Sequence, residues 1–282
     1  MSLSGYVSII RPINSVMIGF AVIVGAFVSK PPSVEAASLV LGFLTGFAIC
    51  AYSMVLNDYY DIEVDRVNQP ERPLPSGRVS PRGALALAVI LLCAGLLAAG
   101  LLLNLAALGI AALYALLSWL YNFSAKKYGV YGNLIVASSL AIPFIYGGVA
   151  SGGSVTSSLL LFMAFTSFLS GVGREVVKAM ADTVGDAKRG IRSYAIVHGL
   201  GNAAKVGALF FLLAVVTSLL PLALLTSVSL FYKVGVVVPD AIFVYLAYEI
   251  TRKPTAEGAL KVKKRALLGM LTGLLVFIGG AF

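Results

Sequence analysis

The sequence is poor in the residues on which much of protein chemistry depends. It has one histidine, one tryptophan and two cysteines, and only 12% of its 282 residues are charged. Cys50 and Cys93 each lie in an apolar run with no histidine or second cysteine at ligand spacing. We therefore predict that both are small buried hydrophobic side chains. His198 has no acidic or nucleophilic neighbour in sequence, so a loop or capping role is expected for it.

Apolar residues, by contrast, are abundant. They make up 59% of the chain, and its mean hydropathy is +0.96, whereas ordinary soluble domains carry roughly 25% charged residues. Long apolar runs recur along the chain and are joined by short polar links. Because these runs are continuous and do not alternate, a β-barrel is excluded. We predict an all-α, polytopic membrane protein in which residues 1–282 form a single integral-membrane domain.

The apolar runs predict nine transmembrane helices. Their approximate bounds are 9–29, 36–57, 82–103, 105–122, 131–150, 156–180, 201–219, 228–250 and 264–281, and the seventh is expected to stop before Pro221. Lysine and arginine lie at the N-terminal end or in alternate loops, which leaves Lys30 and Lys233 for the other face. The positive-inside rule then predicts a cytoplasmic N-terminus and, with nine crossings, an external C-terminus.

The net charge of +9 is spread over several short loops and does not form one patch. Anionic lipid headgroups and an anionic substrate are therefore better partners than nucleic acid, and no obligatory protein partner is evident. The run KVKKRA from Lys261 is predicted to be an anchor at the membrane surface. We expect a multi-pass protein of the cell membrane whose chemistry faces the cytoplasm.

Residues 57–65, NDYYDIEVD, hold three aspartates and an asparagine, and we call them the first aspartate segment. Asn57, Asp61 and Asp65 fall at i, i+4 and i+8, and Asp58 lies three residues before Asp61. A helix that continued through the segment would project most of these oxygens toward one side. Carboxylates crowded in this way repel one another unless a cation lies between them.

Residues 174–186, REVVKAMADTVGD, form what we call the second aspartate segment. Arg174, Lys178, Asp182 and Asp186 step by four, so one helix would carry them on one face. A salt-bridge ladder is one interpretation, but two acidic stripes need more positive charge than a ladder supplies. Mg²⁺ bound by carboxylates and by substrate phosphates meets that need. The mixture of aspartates with arginine and lysine predicts a diphosphate site, although no Gly-rich Walker sequence is present.

These motifs carry a resemblance. NDYYDIEVDR resembles the NDxxDxxxD motif of the UbiA-type intramembrane prenyltransferases, and DTVGD resembles their second motif, DxxxD. Together with RPIN near the N-terminus, the likeness covers essentially the whole chain, and it is strongest to the archaeal enzymes that make digeranylgeranylglyceryl phosphate. It implies a bundle around a central cavity, a Mg²⁺ cofactor, a prenyl diphosphate donor and a lipid-soluble acceptor.

The resemblance also implies roles for particular residues. Six side chains would hold Mg²⁺ and the prenyl diphosphate, namely Asn57, Asp58, Asp61, Asp65, Asp182 and Asp186. Asp61, Asp65, Asp182 and Asp186 among them would be catalytic. Further contacts to the diphosphate or substrate would come from Arg11, Asn14, Arg66, Arg72, Tyr121, Lys126 or Lys127, Arg174 and Lys178.

The implied reaction needs no nucleophile from the protein. Metal and basic residues would stabilise the departing diphosphate, and an allylic cation would be attacked by an acceptor hydroxyl. Aromatic faces available to steady the cation are those of Tyr114, Trp119, Tyr121, Phe144 and Tyr146. Three alternatives stay open: an aromatic acceptor of the 4-hydroxybenzoate or menaquinone-precursor type, a cation-coupled membrane transporter, and a non-catalytic lipid-binding scaffold.

Overall fold

The computed structural model describes residues 2–188, 190–226 and 228–280. Within these ranges the regular elements are all helical. The α-helices are α1 (Leu3–Ile9), α2 (Pro12–Val28), α3 (Ala36–Tyr60), α4 (Ile62–Asn68), α5 (Pro81–Leu101), α6 (Leu105–Phe123), α7 (Val130–Ala150), α8 (Ser158–Ala181), α9 (Thr183–Lys188), α10 (Tyr194–His198), α11 (Leu200–Leu224), α12 (Leu230–Gly235), α13 (Val237–Arg252) and α14 (Ala256–Gly279). A 3₁₀-helix, Ala125–Tyr128, lies between α6 and α7.

Seven helical stretches in the described residues are long and apolar enough to cross a membrane. They are α3, α5, α6, α7, α8, α11 and the stretch from Leu230 to Arg252, which consists of α12 and α13 together. The pair α1 and α2 is an eighth candidate, bent by 48°. The bend lies at Arg11, whose φ is 46°, immediately before Pro12 opens α2, so the first predicted helix is broken near its start. An all-α, polytopic membrane protein is thereby confirmed.

Short side-chain caps set several helix starts. The Ser80 hydroxyl accepts the Gly83 N–H at 3.0 Å, and Pro81 occupies the first position of α5, where no donor is needed. The Asn104 carboxamide oxygen accepts the N–H groups of Ala106 and Ala107 at the start of α6. One polar residue can therefore end one apolar run and begin the next, which keeps these links short.

The predicted end of the seventh helix before Pro221 is wrong. α11 continues through Pro221 to Leu224, and the Leu225 N–H bonds to the Pro221 carbonyl at 3.0 Å. Proline within a helix leaves the carbonyl four residues earlier, here that of Thr217, without its helical donor and crowds the preceding turn. The buried Tyr232 hydroxyl donates to the Ser218 carbonyl at 2.7 Å, which supplies a partner in that turn.

Small residues let α2 and α7 approach closely. A Cβ at Gly25 would lie 2.0 Å from the Phe144 carbonyl oxygen, and one at Gly147 would lie 2.0 Å from the Val22 carbonyl oxygen. Neither position can carry a side chain without moving backbone. The reciprocal contact fixes α2, and with it the Arg11 bend, against the centre of the bundle.

A central cavity lies between α2, α3, α6, α7, α8, α11, α13 and α14, and most of its wall is apolar. Asn14 and Arg174 reach it near the aspartate segments, whereas Asp240 and Ser218 line it at the far end of the bundle. There the Ser218 hydroxyl lies 2.8 Å from the Asp240 carboxylate. Such a chamber, apolar with a charged mouth, suits a ligand with a polar head and a hydrocarbon tail.

Candidate active site

The spacing of the first aspartate segment predicted one continuous helix, but the structure has a break within it. α3 ends at Tyr60 and α4 begins at Ile62, with Asp61 between them at φ −99° and ψ 5°. The helical bonding pattern nevertheless passes through the break, because the Asp61 N–H bonds to the Asn57 carbonyl and the Asp65 N–H to the Asp61 carbonyl. The carboxylates of Asp58, Asp61 and Asp65 are therefore gathered in one buried region, at 2%, 8% and 3% exposure.

The second aspartate segment repeats this backbone. α8 ends at Ala181, and Asp182 adopts φ −99° and ψ 8° before α9. The Asp182 N–H bonds to the Lys178 carbonyl at 3.1 Å, and the Asp186 N–H bonds to the Asp182 carbonyl at 2.9 Å. The stripe predicted on a single helix is thus interrupted at its third member. Both segments turn at the aspartate that follows the long helix.

Three basic side chains from three different elements neutralise the first aspartate segment. Arg11, at the bend between α1 and α2, lies 2.6 Å from Asp58. Lys126, from the 3₁₀-helix, lies 2.5 Å from Asp61. Arg72, from the loop after α4, lies 2.5 Å from Asp65 and 3.4 Å from Asp58. Buried carboxylates require such partners, because a lone charge out of water is costly.

Burial acts on the acid strength of this segment as well. Desolvation raises the pKa of Asp65 above its ordinary value, while the Arg72 guanidinium acts to lower that pKa. Asp58 and Asp61 act in the same direction as burial, because a neighbouring negative charge disfavours a second one. Burial is the largest of these influences, so the pKa of Asp65 lies above its ordinary value even with the Arg72 guanidinium beside it.

An asparagine pair joins the first segment to α6. The Asn57 amide donates to the Asp61 carboxylate at 3.2 Å and to the Asn122 carboxamide oxygen at 3.1 Å. Asn122 is 1% exposed and was not among the predicted site residues. Its sequence signal is a polar side chain at the end of an otherwise apolar run, which alone does not point to a partner 65 residues away.

The second segment is organised around a glutamate that the sequence did not single out. Glu175 is 2% exposed and accepts from Arg174 at 3.0 Å and from Lys178 at 2.9 Å. Asp182 lies 3.8 Å from Lys263 of α14. Lys263 of the KVKKRA run, which was predicted to be a surface anchor, is thus brought beside the second segment by the packing of α14 on α8.

Tyr121 stands between the two aspartate segments. It lies within electrostatic range of Asp61 on one side and of Lys178, Glu175 and Asp186 on the other. The structure thus brings both segments to one end of the bundle, beside the mouth of the cavity. Asn14 and Arg174 line that cavity, as the predicted contacts require.

Some predicted contacts lie elsewhere. Arg66 pairs with Glu63 on an exposed face, with 57% of its side chain accessible, because α4 turns this face away from the aspartates. Lys127 is exposed, whereas its neighbour Lys126 is at Asp61. Of the predicted aromatics, Tyr114, Phe144 and Tyr146 line the cavity, while Trp119 stacks on Phe123 and is 38% exposed.

The chemistry of the oxygen ligands fits Mg²⁺. No group of three acidic, histidine or cysteine ligands converges on one point within the described ranges, and the carboxylates of the first segment bond to basic side chains. Their hard oxygens are nonetheless the ligands that Mg²⁺ takes, commonly one or two from protein with the remainder from water and phosphate. One or two of these carboxylates, together with water and a bound diphosphate, would therefore be enough to hold Mg²⁺.

Comparison with known proteins gives a consistent result. A model described as the UbiA prenyltransferase family matches residues 18–281. The digeranylgeranylglyceryl phosphate synthase of Archaeoglobus fulgidus is 39% identical over 277 residues, which cover 97% of this chain and 94% of that protein. The synthase of the same name from Methanocaldococcus jannaschii is 36% identical over 279 residues, 99% of this chain and 96% of that protein.

Solved structures agree. One, concerned with digeranylgeranylglyceryl phosphate synthase in membranes, has a TM-score of 0.76 at 34% identity, over 99% of this chain and 98% of that one. A UbiA homolog from Archaeoglobus fulgidus bound to DMAPP and Mg²⁺ shares the fold, with a TM-score of 0.72 at 19% identity over 96% of this chain and 98% of that one. The chain is therefore a member of the UbiA prenyltransferase family and an enzyme of that class.

Proposed function

We propose that the enzyme transfers a geranylgeranyl group from geranylgeranyl diphosphate to the free hydroxyl of geranylgeranylglyceryl phosphate. The observation that carries the proposal is the meeting of two aspartate segments and their basic partners at the mouth of one apolar cavity. Relatives named digeranylgeranylglyceryl phosphate synthase at 39% and 36% identity support this acceptor. The reaction releases diphosphate and makes a second ether bond of an archaeal membrane lipid.

Mg²⁺ would be held by side chains of the two segments, from Asn57, Asp58, Asp61 and Asp65 and from Asp182 and Asp186. When bound, the metal neutralises charge on the diphosphate as it departs. The fold-sharing UbiA homolog that binds DMAPP and Mg²⁺ is consistent with this requirement. Arg11, Arg72 and Lys126 already surround the first segment, so each can donate to phosphate oxygens with only a change of partner.

The cavity would shield the allylic cation. Its wall is mostly apolar, which limits the access of water, and it presents the aromatic rings of Tyr114, Phe144 and Tyr146. A ring face beside a cation contributes about 0.5 to 2 kcal/mol. The acceptor hydroxyl loses its proton during or after attack, either to an aspartate of the second segment or to the departing diphosphate.

The arrangement in the membrane follows the same logic. We propose nine crossings, with α14 as the last, a cytoplasmic N-terminus and an active site that faces the cytoplasm in the cell membrane. Lysines and arginines gather at the end of the bundle that holds the aspartate segments, which supports this orientation. Residues 1–282 then form one integral-membrane domain without a required protein partner. Reporter fusions at both termini test the orientation, because nine crossings put the two reporters on opposite faces.

The acceptor is tested with the purified enzyme in detergent or vesicles. Labelled geranylgeranyl diphosphate and Mg²⁺ are supplied with geranylgeranylglyceryl phosphate in one reaction and with 4-hydroxybenzoate in another. We expect labelled product only with the glycerol lipid and none after chelation of the metal. Product with the aromatic acceptor alone would refute the acceptor assignment while leaving prenyl transfer intact.

Two variants test the paired segments. Asp61→Asn and Asp186→Asn should each abolish Mg²⁺-dependent turnover in protein that stays folded, since each keeps side-chain shape and loses one charge. Unaltered turnover in both would refute a metal site built from two segments. It would also favour the scaffold alternative, whereas ion flux without prenyl transfer would favour a transporter.

A further inference from the structure

The basic side chains around the site divide into two groups. Arg11, Arg72, Lys126 and Lys263 each form an ion pair with an aspartate of one of the segments. Arg174 and Lys178 pair instead with Glu175, which belongs to neither DxxxD pattern. In the part of the chain that the structure describes, their ion pairs are thus made to Glu175 and not to an aspartate proposed to hold the metal.

Glu175 can balance only one of these two charges. Its two oxygens lie 3.0 Å from an Arg174 nitrogen and 2.9 Å from the Lys178 ammonium, and the carboxylate is 2% exposed. One positive charge of this cluster is left without a counter-charge inside it. Near the membrane such a charge is stable only if it faces water or an anion.

Arg174 is the member of this cluster that lines the cavity. Its side chain lines the cavity wall, and its Nε is buried and has no hydrogen-bond partner among the described residues. Glu175 engages the other end of the same guanidinium and so fixes its orientation. A guanidinium held in this way presents a donor to a ligand oxygen and is geometrically suited to phosphate.

We infer that Arg174 and Lys178 bind the phosphate monoester of the acceptor lipid. Glu175 is the positioning residue that holds these two side chains in place for the phosphate. The inference rests on the proposed function. That reaction brings the donor's diphosphate and the acceptor's phosphate monoester into one site, and the first segment already has three cations for the diphosphate. In the acceptor, the phosphate and the reacting hydroxyl are on adjacent carbons. The binding site for the acceptor's phosphate must therefore adjoin the donor site. Tyr121 interacts electrostatically with Asp61 of the first segment and with Lys178 of the second, which places these residues near one another.

Steady-state kinetics with two acceptors test the assignment. The acceptors are geranylgeranylglyceryl phosphate and the same lipid without its phosphate, each against wild type, Arg174→Gln and Glu175→Gln. Loss of a charged hydrogen bond predicts that Arg174→Gln raises the KM of the phosphorylated acceptor roughly 10- to 100-fold. The KM of the donor and the kinetics with the phosphate-free acceptor should be unchanged.

Glu175→Gln should raise the same KM by a smaller factor, and Glu175→Asp should restore part of it, since the charge returns on a shorter side chain. Arg265→Gln is the matched control. Arg265 also pairs with a glutamate, Glu249, at 2.8 Å, but half of its side chain is exposed. We expect wild-type kinetics from it.

Equal effects of Arg174→Gln on both acceptors, or a parallel rise in donor KM, would overturn the inference. If this variant does not fold in a thermal melt, Arg174→Lys replaces it, because lysine keeps the charge and loses the fork. A wild-type acceptor KM in folded Arg174→Lys protein would equally contradict the inference. Failure of the proposed function is distinguishable, because the wild-type enzyme would then not use the phosphorylated lipid at all.

Discussion

The two aspartate segments share a backbone geometry but differ in their surroundings. Each follows a long helix and turns at an aspartate with φ near −99°. In the first segment the turn aspartate, Asp61, has a side chain that is 12% exposed and lies 2.5 Å from Lys126, and the side chain of Asp58 before it is 3% exposed and lies 2.6 Å from Arg11. In the second, the Asp182 side chain is 42% exposed and lies 3.8 Å from Lys263. The same local turn thus carries a closed, tightly paired aspartate in the first segment and a partly exposed, loosely paired aspartate in the second.

This difference separates stability from chemistry. Removing one member of a buried pair leaves an uncompensated charge, which costs on the order of 3 kcal/mol or more. Exposed pairs contribute about 0 to 1 kcal/mol, since water screens them. The aspartates of the first segment should therefore contribute to both folding and turnover, whereas Asp182 of the second should contribute mainly to turnover.

Asp58→Asn should have the largest effect. Asp58 accepts from both Arg11 and Arg72, so loss of its charge leaves two guanidinium groups with less compensation in a buried region. We expect a clearly lower melting temperature in detergent and a loss of turnover of about 100-fold or more. A melting temperature equal to that of the wild type would contradict the claim that the first segment contributes to stability.

Asp182→Asn should lower turnover without destabilising the fold. Its carboxylate is partly exposed and its ion pair is long, so the free energy of unfolding derived from a thermal melt should change by less than about 1 kcal/mol. Turnover at saturating Mg²⁺ should still fall by roughly 100-fold. If Asp182→Asn proved as destabilising as Asp58→Asn, the two segments would not differ as the exposures indicate.

Lys263→Ala should have a smaller effect. Its contact with Asp182 is long and partly screened, so we expect a severalfold decrease in kcat/KM, about 1 kcal/mol at most. Lys261→Ala is the control. Lys261 lies two residues before Lys263 and pairs with Glu257 on an exposed face. Equal kinetics for the two variants would return Lys263 to the role of a membrane anchor.

Arg66→Ala should have the smallest effect. Arg66 was a predicted diphosphate contact, but it pairs with Glu63 and more than half of its side chain is exposed. We expect wild-type donor KM and a stability change below about 1 kcal/mol. A raised donor KM would show that α4 rotates this face toward the site when substrate binds.

The local sequence was sufficient to predict the aspartate segments and three of their basic partners, Arg11, Arg72 and one of Lys126 and Lys127. Arg11 and Lys126 stand beside recognisable patterns, and the spacing of four survives the turn at Asp61 because the backbone bonds of the helix continue through it. The turn itself was not predictable, since no proline or glycine marks it. The end of α11 was misjudged at Pro221 because the helix continues through the proline, and the hydrogen bond from Tyr232 to the Ser218 carbonyl in the turn before it has no local signature.

Other members of the site required the fold. Asn122 meets Asn57 across 65 residues, and Lys263 meets Asp182 across a longer interval, so neither contact has a local signature. Glu175 lies inside the second segment, yet its spacing does not continue the stripe of Arg174 and Lys178. Its importance follows from burial and from its two partners, which periodicity does not report.

The balance of charge in the first segment bears on how the enzyme can be handled. Arg11, Arg72 and Lys126 already satisfy Asp58, Asp61 and Asp65 from within the chain. The fold has no need of a bound ion at this point, unlike small domains that unfold when their metal is withdrawn. Prolonged dialysis against chelator should therefore give a dormant enzyme with an undiminished melting temperature, which regains full activity when Mg²⁺ is returned.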